Sequence, residues 1–262
     1  MPFTKSNGLN YYQFPSLMGL GVQQAVFTRH GGVSQGVWNS LNVGLTVGDD
    51  PARVAQNRKI IFEAIGRPVQ SLSDSWLVHG RQTYKYDHPR PSTQEFPPKA
   101  DIILTNNPEV SLFMRYADCV PILLVDPVRR AIALAHAGWQ GTVQQVGRYA
   151  VEAMQSEYGT RPDDILAAIG PSIGPERYEV GPEVVRQVGA AFGENARSLL
   201  PRFGASTHLD LWAANRLTLE IAGVRQIEVA GLCTAENQSD WFSHRAEAGK
   251  TGRFGVLLAL EE

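Results

Sequence analysis

The chain has 262 residues, of which 43% are hydrophobic and 19% charged, with a formal net charge of -2. That is enough apolar material for a substantial core, and with no basic excess or Lys/Arg stripe the footprint of nucleic-acid or anionic-lipid binding is excluded. Only two cysteines, Cys119 and Cys233, are present, too few for a secreted disulfide framework.

No uninterrupted apolar run approaches the roughly 20 residues of a membrane helix. The start, MPFTKSNGLNYYQFPS, lacks the charged segment and apolar core of a secretory signal. The expectation is a cytoplasmic protein with a small-molecule partner, no nucleic acid and no membrane. One domain over 1–262 is expected, as a monomer or weak homodimer.

In chain order, 25–28 is the first strand-like run. Asp50-Pro51 opens a helix carrying Val54, Ile61 and Ile65 that stops at Gly66, with an N-cap, a proline at the first position and a glycine after the end. The stretch 87–99, DHPRPSTQEFPPK, carries four prolines and reads as an irregular surface loop. Strand-like runs follow at 102–105, 111–115, 120–126 and 131–136, then a helix over 142–158 that stops at Gly159. Residues 165–169 read as a strand, 182–192 and 211–222 as helices, and 226–230 and 254–258 as further strands. Several strands are apolar on both faces, which implies sheets covered on both sides. Strands also come in adjacent pairs, so the pattern predicts an α+β fold, a mixed-sheet layered α/β sandwich, over a Rossmann or TIM architecture.

The stretch YADCVPILLVDPVRRAIALAHAGWQGT carries the chemistry. Two apolar strands flank Asp126-Pro127-Val128-Arg129, a turn with proline at its second position. Opposed residue numbers in an antiparallel pair sum to a constant. A loop at 127–128 sets Cys119 directly opposite His136, a loop at 127–130 makes them diagonal neighbours on one face, and a three-residue loop parts them. Two of these turns bring thiol and imidazole within about 5–8 Å at their Cβ atoms, a separation that suits a shared metal. Gly80 follows His79 and Gly138 follows shortly after His136, where glycine permits close approach. Residues 138–142 lead into a helix whose N-terminal amides can accept an anion. Each residue also has a plain structural reading: a cysteine on an apolar strand is a small hydrophobe, and a histidine at a strand end caps or hydrogen-bonds.

VHG at 78–80, YADCVP at 116–121, HAGWQGT at 136–142, IGPSIG at 169–174, YEVG at 178–181 and TGR at 251–253 occur in order. Together with Thr28-Arg29-His30-Gly31-Gly32 they resemble the YfiH family over nearly the whole chain. Its members are labelled laccase domain, polyphenol oxidase, peptidoglycan-editing factor or purine nucleoside phosphorylase. The resemblance implies a metal triad of His79, Cys119 and His136 and a fold likened to the cytotoxic-necrotizing-factor deamidase toxins. It also implies phosphorolysis of adenosine, inosine and methylthioadenosine, with adenosine deamination beside it. Gln140 stands where the family usually has Arg, Ser172 where Cys is frequent and Leu77 where Gln often occurs, while the three ligands are intact.

Three protein ligands leave a fourth position open, the pattern of a catalytic zinc, and copper(II) competes for such donors. Phosphorolysis also needs an anion clamp, for which Arg29 and Arg58 are the candidates, each with an alternative as a surface or helix-pairing arginine. Asp118 is a candidate to orient a ligand or move a proton, although its place beside Cys119 puts it on the opposite strand face. Other readings stay open: a copper-dependent oxidase, a metal-free cysteine hydrolase with Cys119 as nucleophile and His136 as base, an editing factor for peptidoglycan precursors, or a non-catalytic binding module. Six histidines and two cysteines do not furnish the sites of a multicopper oxidase. His30, His88, His208 and His244 sit in loop-like contexts and read as surface or local hydrogen-bonding groups. Ser243-His244-Arg245 and Gly252-Arg253 are candidates for substrate contact or for a folding role, and Cys233 for an inert core thiol.

Overall fold

The computed structural model describes residues 2–91 and 93–262; Ser92, in the predicted 87–99 loop, lies outside the described residues. Two six-stranded sheets form the frame. The first runs in the order β1 (Phe3–Ser6), β2 (Leu9–Tyr12), β3 (Val22–Phe27), β14 (Phe254–Leu260), β7 (Ser111–Tyr116) and β4 (Leu72–Ser73). The second runs β13 (Gln226–Val229), β10 (Leu166–Ile169), β8 (Val120–Asp126), β9 (Ala131–Ala137), β6 (Ile102–Thr105) and β5 (Thr83–Lys85). A short ribbon pairs β11 (Arg202–Phe203) with β12 (Ser206–Thr207). The helices are α1 (Pro51–Ala64), α2 (Trp139–Val143), α3 (Val146–Tyr158), α4 (Pro182–Phe192), α5 (Ala196–Leu199) and α6 (Leu211–Ile221). Parallel pairs β4–β7, β5–β6 and β10–β13 interrupt otherwise antiparallel ladders, so both sheets are mixed, in line with the α+β expectation.

The layering follows from strands that are apolar on both faces. Every residue of β8, β9 and β14 is buried. Leu112, Met114 and Val256 of the first sheet pack between the sheets against Leu123, Ile132 and Leu134 of the second. Ile61 and Phe62 of α1 cover the outer face of the first sheet against Phe27, Phe113 and Leu257. Helices α3, α4 and α6 cover the outer face of the second. At about 1.5–3 kcal/mol for each large side chain buried, this packing is the main source of stability.

Local signals place α1 as expected. The Asp50 carboxylate accepts from Ala52 N at 2.8 Å, Pro51 opens the helix, and Gly66 adopts φ +71° beyond its end. The helix expected over 142–158 differs: it starts at Trp139 and breaks into α2 and α3 at Gln145, which takes φ +60°. Apolar spacing continues across that break, which is why the sequence reads as a single helix. Strands β1, β2, β4 and β5 escape the sequence reading because they are two to four residues long and, in β1 and β5, half-exposed.

The β8–β9 hairpin takes the four-residue loop, with Asp126 opposite Ala131 and Pro121 opposite His136. Asp126 Oδ1 accepts from the amides of Val128 and Arg129, both at 2.9 Å, which fixes that turn. Cys119 and His136 are thereby diagonal neighbours on one face. Among the described residues, no helix is long and apolar enough to cross a membrane.

Candidate metal centre and its cavity

His136 is the penultimate residue of β9, and the β6–β9 register carries Asp101 across from it. His136 N donates to the Asp101 carbonyl at 2.8 Å, and its Nδ1 donates to Asp101 Oδ1 at 2.9 Å. A carboxylate only accepts, so Nδ1 carries the proton and Nε2 faces the site. The same carboxylate, itself fully buried, accepts from the amides of Val78 at 3.1 Å, His79 at 3.1 Å and Gly80 at 2.9 Å. One side chain therefore fixes both histidines. His79 is held at φ +57°, a conformation uncommon outside glycine and one that the Asp101 bonds support.

Cys119, half-buried just before β8, completes the group. The donor atoms of His79, Cys119 and His136 all lie within 4.8 Å of one another. A tetrahedral ion with bonds of about 2.0–2.3 Å keeps its ligands roughly 3.5 Å apart, so small torsional adjustments close the group on a shared ion. The two imidazole centroids are 5.1 Å apart with planes at 80°. A Cβ on Gly138 would stand 3.0 Å from Cys119 Sγ and 3.5 Å from His79 Cδ2, so glycine keeps that approach clear.

The charges are interlocked. Burial pushes the Cys119 thiol up, but the neighbouring His136 charge and hydrogen bonds from His136 and His79 outweigh it and bring the thiol to about 6. Burial pushes His136 down, but the Cys119 thiolate and the hydrogen bonds to Asp101 and Cys119 raise it to about 9. Without metal the pair is thus a thiolate beside an imidazolium. Two imidazoles and a thiolate are a donor set that can hold a metal ion.

The group opens on a cavity of about 1030 Å³. Trp76, Phe96 and Trp139 give it an apolar wall, and Asp118, Tyr178 and Arg245 stand near the thiol. Asp118 accepts from Thr234 Oγ1 at 2.7 Å and from Arg245 N at 2.6 Å, so it fastens two distant segments beside Cys119 and is not part of the ligand group. The Arg245 guanidinium lies 4.8 Å over the Tyr178 ring. Burial, then the Cys119 charge, push the Tyr178 phenol up, so it stays a neutral donor.

The two arginines expected to clamp an anion part company. Arg58 lines the cavity. Arg29 does not: its guanidinium donates to the carbonyls of Asn39 at 2.9 Å and Gln238 at 3.0 Å, pairs with Glu247 at 3.2 Å and lies 4.3 Å over Phe242. Those partners use it to tie the C-terminal segment down. The expected anion-accepting helix after Gly138 is the five-residue α2. Of the remaining histidines, His244 lines the cavity, while His30 pairs with Asp240 at 3.1 Å, His208 bonds the Pro175 carbonyl at 2.7 Å and His88 is exposed. Arg245 and Arg253 also line the cavity, and Cys233 is buried, accepting from Gly174 N at 3.2 Å.

Asp101, Asp74, Arg90, Arg115 and Tyr178 were not singled out from sequence. An acid directly before an apolar run (Asp101) and an arginine inside one (Arg115) are the signals that point to them. The 87–99 stretch also contributes Arg90 and Phe96 to the cavity wall, beyond its expected part as a surface loop.

Comparison with known proteins places the chain in a family. A family described as multi-copper polyphenol oxidoreductase laccase matches residues 23–261. A purine nucleoside phosphorylase of Deinococcus radiodurans is 42% identical, covering 92% of this chain and 90% of that one. The purine nucleoside phosphorylase YlmD of Bacillus subtilis is 37% identical, covering 90% and 87%. Among solved structures, a hypothetical protein YfiH of Bacillus licheniformis superposes with a TM-score of 0.91 at 31% identity over 99% of both chains. YlmD of Geobacillus stearothermophilus superposes with a TM-score of 0.89 at 33% identity, covering 100% and 99%. The chain therefore belongs to the multi-copper polyphenol oxidoreductase laccase family, alongside the proteins named YfiH and YlmD.

Proposed function

We propose that the chain is a zinc-dependent purine nucleoside phosphorylase acting on adenosine, inosine and methylthioadenosine, with adenosine deaminase activity. The observation that carries this reading is the His79–Cys119–His136 group opening on a cavity that also presents guanidinium groups. The names of the relatives, 42% and 37% identical over most of the chain, support it.

The donor set suits zinc, and copper(II) competes for the same atoms. Bound there, zinc supplies Lewis acidity toward the reacting end of the nucleoside. The chain's own residues do the rest. Asp101 keeps the His136 tautomer and both imidazoles in place. The apolar wall of Trp76, Phe96 and Trp139 suits a purine face, and Tyr178 offers a neutral hydroxyl as a hydrogen-bond donor. In phosphorolysis the glycosidic C–N bond breaks, a phosphate oxygen bonds to C1′ and the purine leaves with a proton. In deamination water adds to the ring and ammonia leaves. Among the described residues, His79, Cys119 and His136 are the one group of three or more potential ligands with metal spacing, which supports a single-ion enzyme over a multicopper oxidase.

Chromatography of adenosine incubations with and without phosphate tests the reading. The expected result is adenine plus ribose 1-phosphate that requires phosphate, with some inosine in either buffer. No purine product in either, together with metal-dependent oxidation of a phenol, would put the oxidase reading in its place.

A further inference from the structure

Asp74, buried between β4 and the cavity, has three guanidinium groups around it. Arg115 Nη1 lies 2.7 Å from its Oδ2, Arg58 Nη1 3.5 Å from the same oxygen, and Arg90 Nε 3.1 Å from Oδ1. All four line the cavity. The arginine side chains are 11–18% exposed and the Asp74 side chain 3%. They come from α1, the 87–99 stretch and β7, so the cluster is assembled by the tertiary fold.

The cluster is braced. Tyr86 Oη donates to the Asp74 carbonyl at 2.6 Å, and Arg90 N donates to Ser73 Oγ at 3.1 Å. Arg58 donates Nε and Nη2 to the Val43 carbonyl, Arg115 donates Nη2 to that of Ser75, and Arg90 donates Nη1 to that of Gln94. Those carbonyls engage donors but cancel no charge. One carboxylate against three guanidinium groups leaves two positive charges uncompensated in a largely buried place. Glu95, also on the cavity, is exposed and pairs with none of the three. Burying like charges without counter-charges is costly, and a dianion entering from the cavity removes that cost. Arg58 shows the tension: burial first, then Arg115, lower its pKa to about 10. Arg253, which also lines the cavity, senses both the Cys119 and the Arg115 charges.

We propose that Arg58, Arg90 and Arg115, gathered by Asp74, form the subsite that takes inorganic phosphate, on the first-sheet side of the cavity facing the His79–Cys119–His136 group. This rests on the phosphorylase reading above and adds which residues hold the second substrate. Planar guanidinium forks match phosphate oxygens two at a time, which a lysine cluster does not. Asp74 is a positioning residue.

The test is calorimetric titration of the zinc-loaded protein with inorganic phosphate and, separately, with adenosine 5′-monophosphate. Steady-state KM values for phosphate and adenosine are measured beside it. Arg90→Gln, in a stretch without regular structure, is the variant least able to disturb folding, and Arg115→Gln is the second. Each should weaken phosphate binding and raise the phosphate KM by about tenfold or more while the adenosine KM moves less than about twofold. Asp74→Asn should weaken phosphate binding and leave zinc content unchanged. Arg53→Gln, which removes a half-exposed arginine of α1 outside the cavity lining, should change neither. Phosphate binding that is unchanged in Arg90→Gln and Arg115→Gln overturns the subsite even if adenosine is phosphorolysed. So does loss of nucleotide binding alone, since it would assign the cluster to a phosphate group carried by the substrate. Phosphate binding that disappears in both variants, with no turnover of adenosine in the wild type, upholds the subsite and removes the phosphorylase reading instead.

Discussion

On the second-sheet side of the cavity each buried charge is paired or hydrogen-bonded. The Cys119 thiolate faces the His136 imidazolium, and Asp101 collects three amides and the other imidazole nitrogen. On the first-sheet side three guanidinium groups share one carboxylate. The first arrangement is saturated before any ligand arrives, so binding there is an exchange in which an ion replaces a proton. The second is unsaturated, so binding there adds a missing counter-charge. A substitution on the saturated side breaks a closed network, whereas loss of one arginine on the cationic side relieves repulsion as well as removing a contact. Effects should therefore be larger around Cys119 than around Asp74.

The largest expected effect is that of Cys119→Ala, which takes away the thiolate on which the network turns. Metal and turnover should disappear together, with activity down by about a thousandfold or more. The unfolding transition should stay cooperative, because the core and not the site carries the stability. Elemental analysis beside a thermal melt checks this. Stoichiometric zinc in the wild type with full activity in the variant would break the comparison, and a metal-free wild type would return Cys119 to a nucleophile's part.

Asp101→Asn should come next. The amide keeps the size but turns an N–H donor toward groups that are themselves donors, freeing the His136 ring and the backbone at 78–80. Zinc affinity should fall about 10–100-fold, with a loss of about 1–3 kcal/mol in stability. Competition against a chromophoric chelator and chemical denaturation measure the two parts. An unchanged affinity would mean that the ligands hold themselves in place.

Taken one pH unit at a time, the smallest effect follows from titration. In the metal-free protein the thiol titrates near 6 and His136 near 9, so between these values the thiol is ionised and the imidazole still carries the proton that the ion must displace. Loading should release about one proton at neutral pH, and affinity should climb by about tenfold per pH unit up to about 9 and level off beyond. Calorimetry in buffers of different ionisation enthalpy counts the protons. A release near zero at neutral pH would show that the imidazole is already neutral beside the thiolate.

How much of this was legible before the fold was known differs between the two sides. The hairpin that carries Cys119 and His136 reads clearly, because two continuous apolar runs surround a proline-bearing turn. Its register is open among three turn lengths in the sequence, and the Asp126 side chain, capping two amides, selects one. Arg58, Asp74, Arg90 and Arg115 follow no period and no motif, and only packing brings them together. Arg29 and Arg58 are both arginines near recognisable motifs. Glu247, 218 positions downstream, helps to hold Arg29 apart from the cavity lining, and no local rule reaches that far. The α2–α3 break hides for a related reason, since a left-handed Gln145 leaves the apolar spacing undisturbed.

His79, Cys119 and His136 come from three separate stretches and meet once β8, β9 and the turn held by Asp101 are all in place. An unfolded chain offers them singly, so an ion distinguishes folded from unfolded molecules far better than any one ligand does. Each tenfold rise of free ion above its dissociation constant then adds about 1.4 kcal/mol to the free energy of unfolding. Proteases that cut transiently opened molecules draw on the open fraction, so an ion bound at this group would lengthen the lifetime of the protein.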